Sequence, residues 1–134
     1  MSLFEHGNFA LHSGQVSNWR INCDDLTEAD LEVLARLIWE RAHPFSKVVC
    51  PRSHRGSAAN KLVAILKEYP ARVFIGASTA NLLIVDDVLT TGSSMEEVRK
   101  EMGTYYQSEG FVLFARGECP DWITPLFQMP GAIR

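Results

Sequence analysis

The residues from Leu82 to Ser94 constrain the fold more than any other stretch of the sequence. Leu82–Val85 is a short apolar run rich in branched side chains, which is typical of a strand buried on both faces of a parallel sheet. Asp86 and Asp87 follow at once, where such a strand reaches its carboxyl end. Ligands bind at this edge in open α/β sheets. We therefore expect a binding site with two adjacent carboxylates at the end of a buried strand.

The loop that follows the carboxylates predicts an anion site. Its small polar residues are Thr90, Thr91, Gly92, Ser93 and Ser94, and a helical pattern begins directly after them. Backbone N–H groups, hydroxyls and the positive end of the next helix together favour a phosphate. The alternative is a plain strand, turn and helix, in which Ser94 and Glu97 form a capping box.

The run from Asp86 to Ser93 resembles the phosphoribosyl pyrophosphate (PRPP) motif of type I phosphoribosyltransferases, which is a hydrophobic strand, two acidic residues and a Thr/Gly-rich loop. The resemblance implies that Asp86 and Asp87 hold the ribose hydroxyls at the catalytic centre, and that Thr90–Ser94 wraps the 5-phosphate. It also implies a Mg²⁺ cofactor. Because Mg²⁺ is commonly held through substrate phosphates, we expect no direct protein ligand and at most a water bridge to one of the two carboxylates.

A second strand and helix flank a loop that is dense in hydrogen-bond donors. Lys47–Cys50 is a short apolar strand, and Ala58–Glu68 has helical spacing. Two guanidinium groups, an imidazole and a glycine between them can neutralise a polyanion and approach it closely. By position the loop is similar to the family's pyrophosphate loop, although members usually carry small residues there; the alternative is an exposed basic loop. The candidate pyrophosphate-binding residues are Arg52, Ser53, His54, Arg55 and Gly56.

The N-terminal residues 1–26 are irregular, and short apolar–polar alternations predict one or two brief strands joined by a turn at Ser13-Gly14. Phe9–Gly14 is similar to the start of orotate phosphoribosyltransferases, where this segment folds over the site as a hood. The alternative is a core position for the tryptophan and a surface position for the histidine. The resemblance implies that three residues help to hold the base: His12, Trp19 and Arg20.

The remaining patterns complete an α/β fold, with a mostly parallel sheet and helices on both faces, in a single domain spanning residues 1–134. Leu26–Ala42 is a helix with a capping box at its start. The pattern of Phe111–Arg116 predicts a central strand. Ile123–Phe127 is predicted to be an edge strand, where Pro125 is tolerated. Trp122 either caps the core or lines the base pocket, and we favour the first interpretation.

Arg72–Ile75 is predicted to be a strand. The connection from it to Leu82–Val85 differs from the corresponding connection in the family. Catalytic members carry a long mobile loop here that closes over PRPP, whereas this chain has a short polar connection. It is too short for a helical crossover between adjacent parallel strands. The two segments are therefore either antiparallel neighbours or non-adjacent strands.

Composition excludes several other classes of protein. A net charge of −3 argues against a nucleic-acid binder that acts through bulk electrostatics. The sequence has no run long enough to span a membrane and no signal pattern, so we expect a cytoplasmic protein. Its odd number of cysteines without metal-ligand spacing predicts reduced thiols.

The function implied by the resemblance is a Mg²⁺-dependent phosphoribosyltransferase. It would join PRPP to a nucleobase, with orotate or a related pyrimidine favoured, and release pyrophosphate. The family also implies a homodimer. Because the lid loop is missing, the alternative is a non-catalytic module that binds PRPP or a nucleotide as a sensor or partner subunit.

Overall fold

A computed structural model describes residues 3–10, 16–51, 57–70, 80–102 and 106–129, with the backbone alone at 8–10, 16–20, 80 and 106. The described elements in chain order are β1 (Phe4–Ala10), β2 (Val16–Ile21), a 3₁₀ turn (Cys23–Asp25), α1 (Glu28–Arg41), β3 (Lys47–Val49), α2 (Ala58–Glu68), β4 (Ala80–Leu89), α3 (Ser93–Met102), β5 (Tyr106–Ala115) and β6 (Ile123–Gln128). None of these helices has the length and apolar content needed to cross a membrane.

The centre of the fold is a sheet of four strands in the order β3-β4-β5-β6, and all three pairings are parallel. Leu82 in β4 pairs with Lys47 on one side and with Ser108 on the other. The predicted α/β class and the buried parallel strand are therefore confirmed. Since β4 has neighbours on both sides over Leu82–Ile84, it offers no free edge there; residues 72–75, whose pairing the sequence left open, lie outside the described residues.

Helices cover both faces of the sheet, as predicted. One face packs against α1 and α2, and the other packs against α3. Successive side chains of a strand point to opposite faces, and this explains the fully apolar runs in β4 and β5. The first face contains Leu83, Val85, Phe111 and Leu113. The second contains Leu82, Ile84 and Val112, against which Met95 of α3 packs.

Helix starts follow local capping chemistry. The Thr27 backbone N–H donates to Asp30 Oδ2 at 3.0 Å, and the Asp30 N–H donates to Thr27 Oγ1 at 3.1 Å, so the predicted capping box of α1 is confirmed. In α3 the Glu96 N–H donates to the Gly92 carbonyl at 3.0 Å. Gly92 is therefore the N-cap of α3, and the capping box with Ser94 at the N-cap is wrong because Ser94 already lies in the first turn.

The N-terminal segment forms an antiparallel hairpin of β1 and β2, which confirms the predicted brief strands; the turn at Ser13-Gly14 lies outside the described residues. The Asn22 N–H donates to the Leu3 carbonyl at 2.6 Å. The Phe4 ring meets the Phe114 ring edge-on, with centroids 5.9 Å apart. The hairpin is thus fastened at its open end, next to the carboxyl end of β5.

Candidate functional site at the carboxyl edge

The two adjacent carboxylates lie in the last part of β4. The sequence suggested that the strand ends at these carboxylates. It continues instead, because Val88 and Leu89 still pair with Phe114 and Ala115 of β5. Val85 and Val88 pack on the same side of the sheet although they are three residues apart, so strict alternation is interrupted at the carboxylates. Both acidic side chains are half-buried and close enough to share a hydrogen bond.

Asp86 keeps its proton at neutral pH. Burial, the charge of Asp87 and the hydrogen bond that the protonated Asp86 donates to the Asp87 side chain raise the pKa of Asp86 to about 8. The Asp87 backbone N–H, which donates to Asp86 Oδ1 at 2.8 Å, lowers this pKa. The Asp87 carboxylate in turn accepts from the Val88 N–H at 2.7 Å. A protonated carboxyl can both donate and accept hydrogen bonds, as a sugar hydroxyl also can.

Cys23 faces the same carboxylates from the 3₁₀ turn after β2. It is buried, and burial, followed by the charges of Asp87, Asp24 and Asp86, raises the pKa of its thiol. The thiol is therefore neutral and unreactive at physiological pH. The three cysteines of the chain form no disulfide. The sequence did not place Cys23 here, because the pairing of the hairpin with the core is a long-range contact.

The hydroxyl-rich turn joins β4 to the N-terminus of α3. Gly92 has a φ of 84°, which is the left-handed region that favours glycine. Thr91 Oγ1 lies 3.1 Å from Ser93 Oγ and accepts from the Ser93 N–H at 3.4 Å. Thr91, Ser93 and Ser94 are exposed, and Thr90 is half-buried. The turn therefore presents hydroxyls beside the first N–H groups of a helix, where anions bind.

The ends of the donor-rich loop lie at the same edge. β3 ends at Val49, which pairs with Ile84 of β4, and Ser57 caps the start of α2 by accepting from the Asn60 N–H at 3.3 Å. The proposed pyrophosphate-binding residues between them lie outside the described residues: Arg52, Ser53, His54, Arg55 and Gly56.

The hood residues are only partly described. His12 lies outside the described residues, and the structure describes the backbone but not the side chains of Trp19 and Arg20. These two residues pair with His6 and Glu5 in the hairpin.

Arg116, which the sequence pattern shows only as the last residue of a predicted strand, is a buried cation at this edge. Arg116 is 3% exposed, and burial lowers the pKa of its guanidinium group. Its N–H donates to the Leu89 carbonyl at 2.9 Å, directly beside the turn. The Gln128 side-chain amide donates to the carbonyls of Ala115 and Gly117, one on each side. The missed signal was a charged residue that directly follows an apolar run, as Asp86 follows Leu82–Val85.

The described side chains suit Mg²⁺ only together with a ligand. Across the described ranges, no three His, Cys, Asp or Glu side chains are grouped so that they could hold a metal ion. Asp86 and Asp87 offer the oxygen ligands that Mg²⁺ prefers, and Mg²⁺ commonly combines one or two carboxylates with substrate phosphates. The residues present therefore fit Mg²⁺ that is held mainly through the phosphates of a substrate.

A cavity of about 310 Å³ opens at the opposite, amino edge of the sheet. Its walls include a hydrogen-bonded pair in which His43 Nδ1 lies 2.8 Å from Glu109 Oε2, and the His43 backbone N–H donates to Glu109 Oε1 at 2.7 Å. Asn81 and Trp122 also line it. Trp122 is half-buried against the core on the α3 side, which confirms that it caps the core.

No protein-family model matches the sequence, and no curated protein sequence matches it either. Several solved structures, however, are similar to this chain. UMP synthase from Leishmania donovani is similar with a TM-score of 0.69 and 18% identity over 95% of this chain, which spans 34% of that one. Orotate phosphoribosyltransferase from Aeropyrum pernix gives a TM-score of 0.66 and 22% identity over 95% of this chain and 88% of its own.

A third similar structure is orotate phosphoribosyltransferase from Mycobacterium tuberculosis, with a TM-score of 0.62 and 13% identity over 94% of this chain and 89% of its own. The chain thus spans about a third of the UMP synthase and most of the two separate enzymes. At these identities the likeness concerns the fold. The chain has the fold of the type I phosphoribosyltransferases, as the motif at Asp86–Ser93 led us to expect.

Proposed function

We propose that the chain binds PRPP at the carboxyl edge of the sheet and transfers its ribose 5-phosphate to a nucleobase with release of pyrophosphate. One observation carries the proposal: two adjacent carboxylates lead into a hydroxyl-rich turn at the N-terminus of α3, in a phosphoribosyltransferase fold. The similar structures are orotate phosphoribosyltransferases and a UMP synthase, which supports orotate or a related pyrimidine as the base and a place in pyrimidine biosynthesis.

The roles follow from the chemistry of each group. The carboxyl groups of Asp86 and Asp87 bind the ribose hydroxyls, because the protonated Asp86 can donate as well as accept. The negative charge of Asp87 also tolerates the cationic character that the ribose carbon acquires as pyrophosphate leaves. Thr90–Ser94 and the N-terminus of α3 bind the 5-phosphate. Arg116 adds a positive charge at the same edge, which favours an anionic base such as orotate.

The leaving pyrophosphate needs positive charge around it. The loop containing Arg52, His54 and Arg55 supplies donors, and preorganised donors at a developing charge are the largest catalytic effect in many enzymes. Mg²⁺, when bound, neutralises charge on the departing pyrophosphate. His12, Trp19 and Arg20 of the hood would hold the base. A homodimer and a cytoplasmic location belong to the same proposal.

The second candidate is a module that binds PRPP or a nucleotide without turning it over. The observation that favours it is the short connection before β4: the chain has no lysine or arginine between Arg72 and Arg99. A basic lid that closes over PRPP therefore cannot come from this part of the sequence.

The decisive experiment mixes the protein with PRPP, Mg²⁺ and a panel of pyrimidine and purine bases, and measures pyrophosphate release. Isothermal titration of PRPP, with and without Mg²⁺, is run in parallel. Asp87→Ala should weaken PRPP binding by about tenfold to a hundredfold, since it removes hydrogen bonds to a charged acceptor worth about 1.5–3 kcal/mol. Glu32→Ala, which removes an equal charge from the exposed face of α1, is the matched control and should bind as the unmodified protein does.

The outcomes separate the candidates. Pyrophosphate release that depends on one base establishes the transferase and its substrate. PRPP binding without release from any base favours the binding module. Absence of PRPP binding contradicts both, and binding that survives Asp87→Ala contradicts the assignment of the carboxylates.

A further inference from the structure

The segment Gly117–Trp122 between β5 and β6 packs against the turn of the proposed phosphate site. A Cβ atom at Gly92 would lie 3.6 Å from Pro120 Cγ and 3.6 Å from Leu89 Cδ1. The left-handed glycine is thus enclosed between the end of β4 and a proline ring. Because the ring fixes the φ angle of Pro120, this contact surface is rigid.

The same segment is bonded to the first turn of α3. Trp122 Nε1 donates to Glu96 Oε1 at 2.6 Å, and the guanidinium carbon of Arg99 lies 4.8 Å from the centre of the Trp122 ring. A cation over an aromatic face is attracted to it. Glu96 also donates its backbone N–H to the Gly92 carbonyl, so two consecutive hydrogen bonds connect the indole to the glycine of the turn.

Trp122 is itself held firmly on the sheet. Its carbonyl accepts from the Gly110 N–H at 2.9 Å. A Cβ atom at Gly110 would approach Trp122 Cζ3 and Met95 Cε to 3.0 Å, and Ile123 Cγ1 to 2.9 Å. The ring and the helix therefore pack so closely on β5 that only glycine fits beneath them.

We propose that Trp122 is a positioning residue for the phosphate site. Its bond to Glu96 fixes the first turn of α3, and together with Pro120 it fixes the turn Thr90–Ser94. The inference rests on the proposed function, since it concerns the site where the 5-phosphate would bind. Anion binding at a helix N-terminus uses N–H groups in a fixed orientation. A turn that is ordered only when the phosphate binds gives weaker binding than a turn that is already ordered, because ordering it consumes part of the interaction free energy.

The test titrates ribose 5-phosphate into the full chain by isothermal calorimetry. Glu96→Ala removes the acceptor of the indole N–H, and Trp122→Phe removes the donor but keeps an apolar ring against the sheet. Both should weaken binding by about tenfold, the loss expected for one hydrogen bond to a charged group. Removing a negative charge near a phosphate would by itself tighten binding, so weakening in Glu96→Ala cannot come from charge.

Two controls separate positioning from a general structural effect. Glu96→Gln keeps an acceptor oxygen for the indole and should restore binding to within about twofold of the unmodified protein. Glu97→Ala removes the neighbouring exposed carboxylate of α3 and should bind no more weakly than the unmodified chain. Thermal unfolding of each variant shows that the titrations compare folded proteins, and Trp122→Phe serves alone where Glu96→Ala is too unstable.

The outcomes distinguish this inference from the proposed function. An unmodified chain that does not bind ribose 5-phosphate overturns the assignment of the phosphate site. An unmodified chain that binds, with Glu96→Ala or Trp122→Phe binding equally well, overturns the positioning role alone. Equal weakening in Glu96→Ala and Glu96→Gln would also overturn it, because the hydrogen bond would then not be what matters.

Discussion

The two edges of the sheet hold charge in opposite ways. At the carboxyl edge, the pKa of the half-buried Asp86 is raised to about 8, and Arg116 is 3% exposed with a lowered pKa. At the amino edge, His43 and Glu109 form a hydrogen-bonded pair whose side chains are 81% and 26% exposed. One edge removes ionisable groups from water, and the other leaves them in contact with it.

This difference indicates where the molecule gives up stability for function. Burying a charge costs free energy unless partners compensate for it, whereas an exposed ion pair changes stability little. Ionisable groups with strongly shifted pKa values are concentrated at functional sites. The amino edge has the cavity of about 310 Å³, yet the chemistry of the carboxyl edge is what marks a candidate active site.

The largest expected effect concerns the half-buried carboxyl group of Asp86. Between pH 5 and pH 7 the folded chain keeps the proton on Asp86, whose pKa is raised from 3.8 to about 8, while the unfolded chain has lost it. The free energy of unfolding therefore falls as pH rises, by up to about 1.4 kcal/mol per pH unit from this group. The fall ends above about pH 8, where both states are deprotonated. Asp86→Asn should remove it.

The measurement is urea unfolding at several pH values, comparing the difference between each variant and the unmodified chain. Asp86→Asn should gain about 2–3 kcal/mol relative to the unmodified chain between pH 5 and pH 7. Asp121→Asn, at an exposed carboxylate, is the control and should leave the curve unchanged. Parallel curves for Asp86→Asn and the unmodified chain would show that Asp86 is ionised in the fold, and the contrast between the edges would be lost.

Local chemistry made most of the fold predictable from the sequence. The capping box at Thr27 involves residues three positions apart, and α2 has the predicted bounds Ala58–Glu68. The buried run in β4 and the edge strand with Pro125 were likewise visible as patterns within short windows. Such signals depend on neighbours in the chain, which a sequence shows directly.

The features of the fold and the site that could not be predicted from the sequence depend on long-range contacts. β4 continues to Leu89 because β5 pairs with it there, and the place of Cys23 beside the carboxylates depends on how the hairpin docks. The bond between Trp122 and Glu96 joins residues 26 positions apart. The motif at Asp86–Ser93 therefore located the site from the sequence, but the segment that supports its turn needed the structure.

A smaller effect concerns the turn of the carboxyl edge. Gly92, like Gly7, has a positive φ, and every other described glycine has a negative one. Gly92→Ala has ordinary contact distances of 3.6 Å or more around the new Cβ, so the cost is backbone strain, about 1 kcal/mol after the entropic gain in the unfolded chain. Urea unfolding should show this loss, whereas Gly117→Ala should change stability by less than about 0.5 kcal/mol. Equal effects at both glycines would mean that the turn is not strained.

The smallest effect is expected at the amino edge. A double-mutant cycle of His43→Gln and Glu109→Gln should give a coupling energy below about 1 kcal/mol, because the imidazole is largely exposed and salt screens such pairs. The cycle leaves the His43 backbone N–H bond to residue 109 in place, since glutamine also carries an acceptor oxygen. Urea unfolding at low and high salt measures the coupling, which should decrease as salt is added. A coupling above about 2 kcal/mol that is insensitive to salt would show that the amino edge also holds a desolvated charge pair, and the two edges would no longer differ in kind.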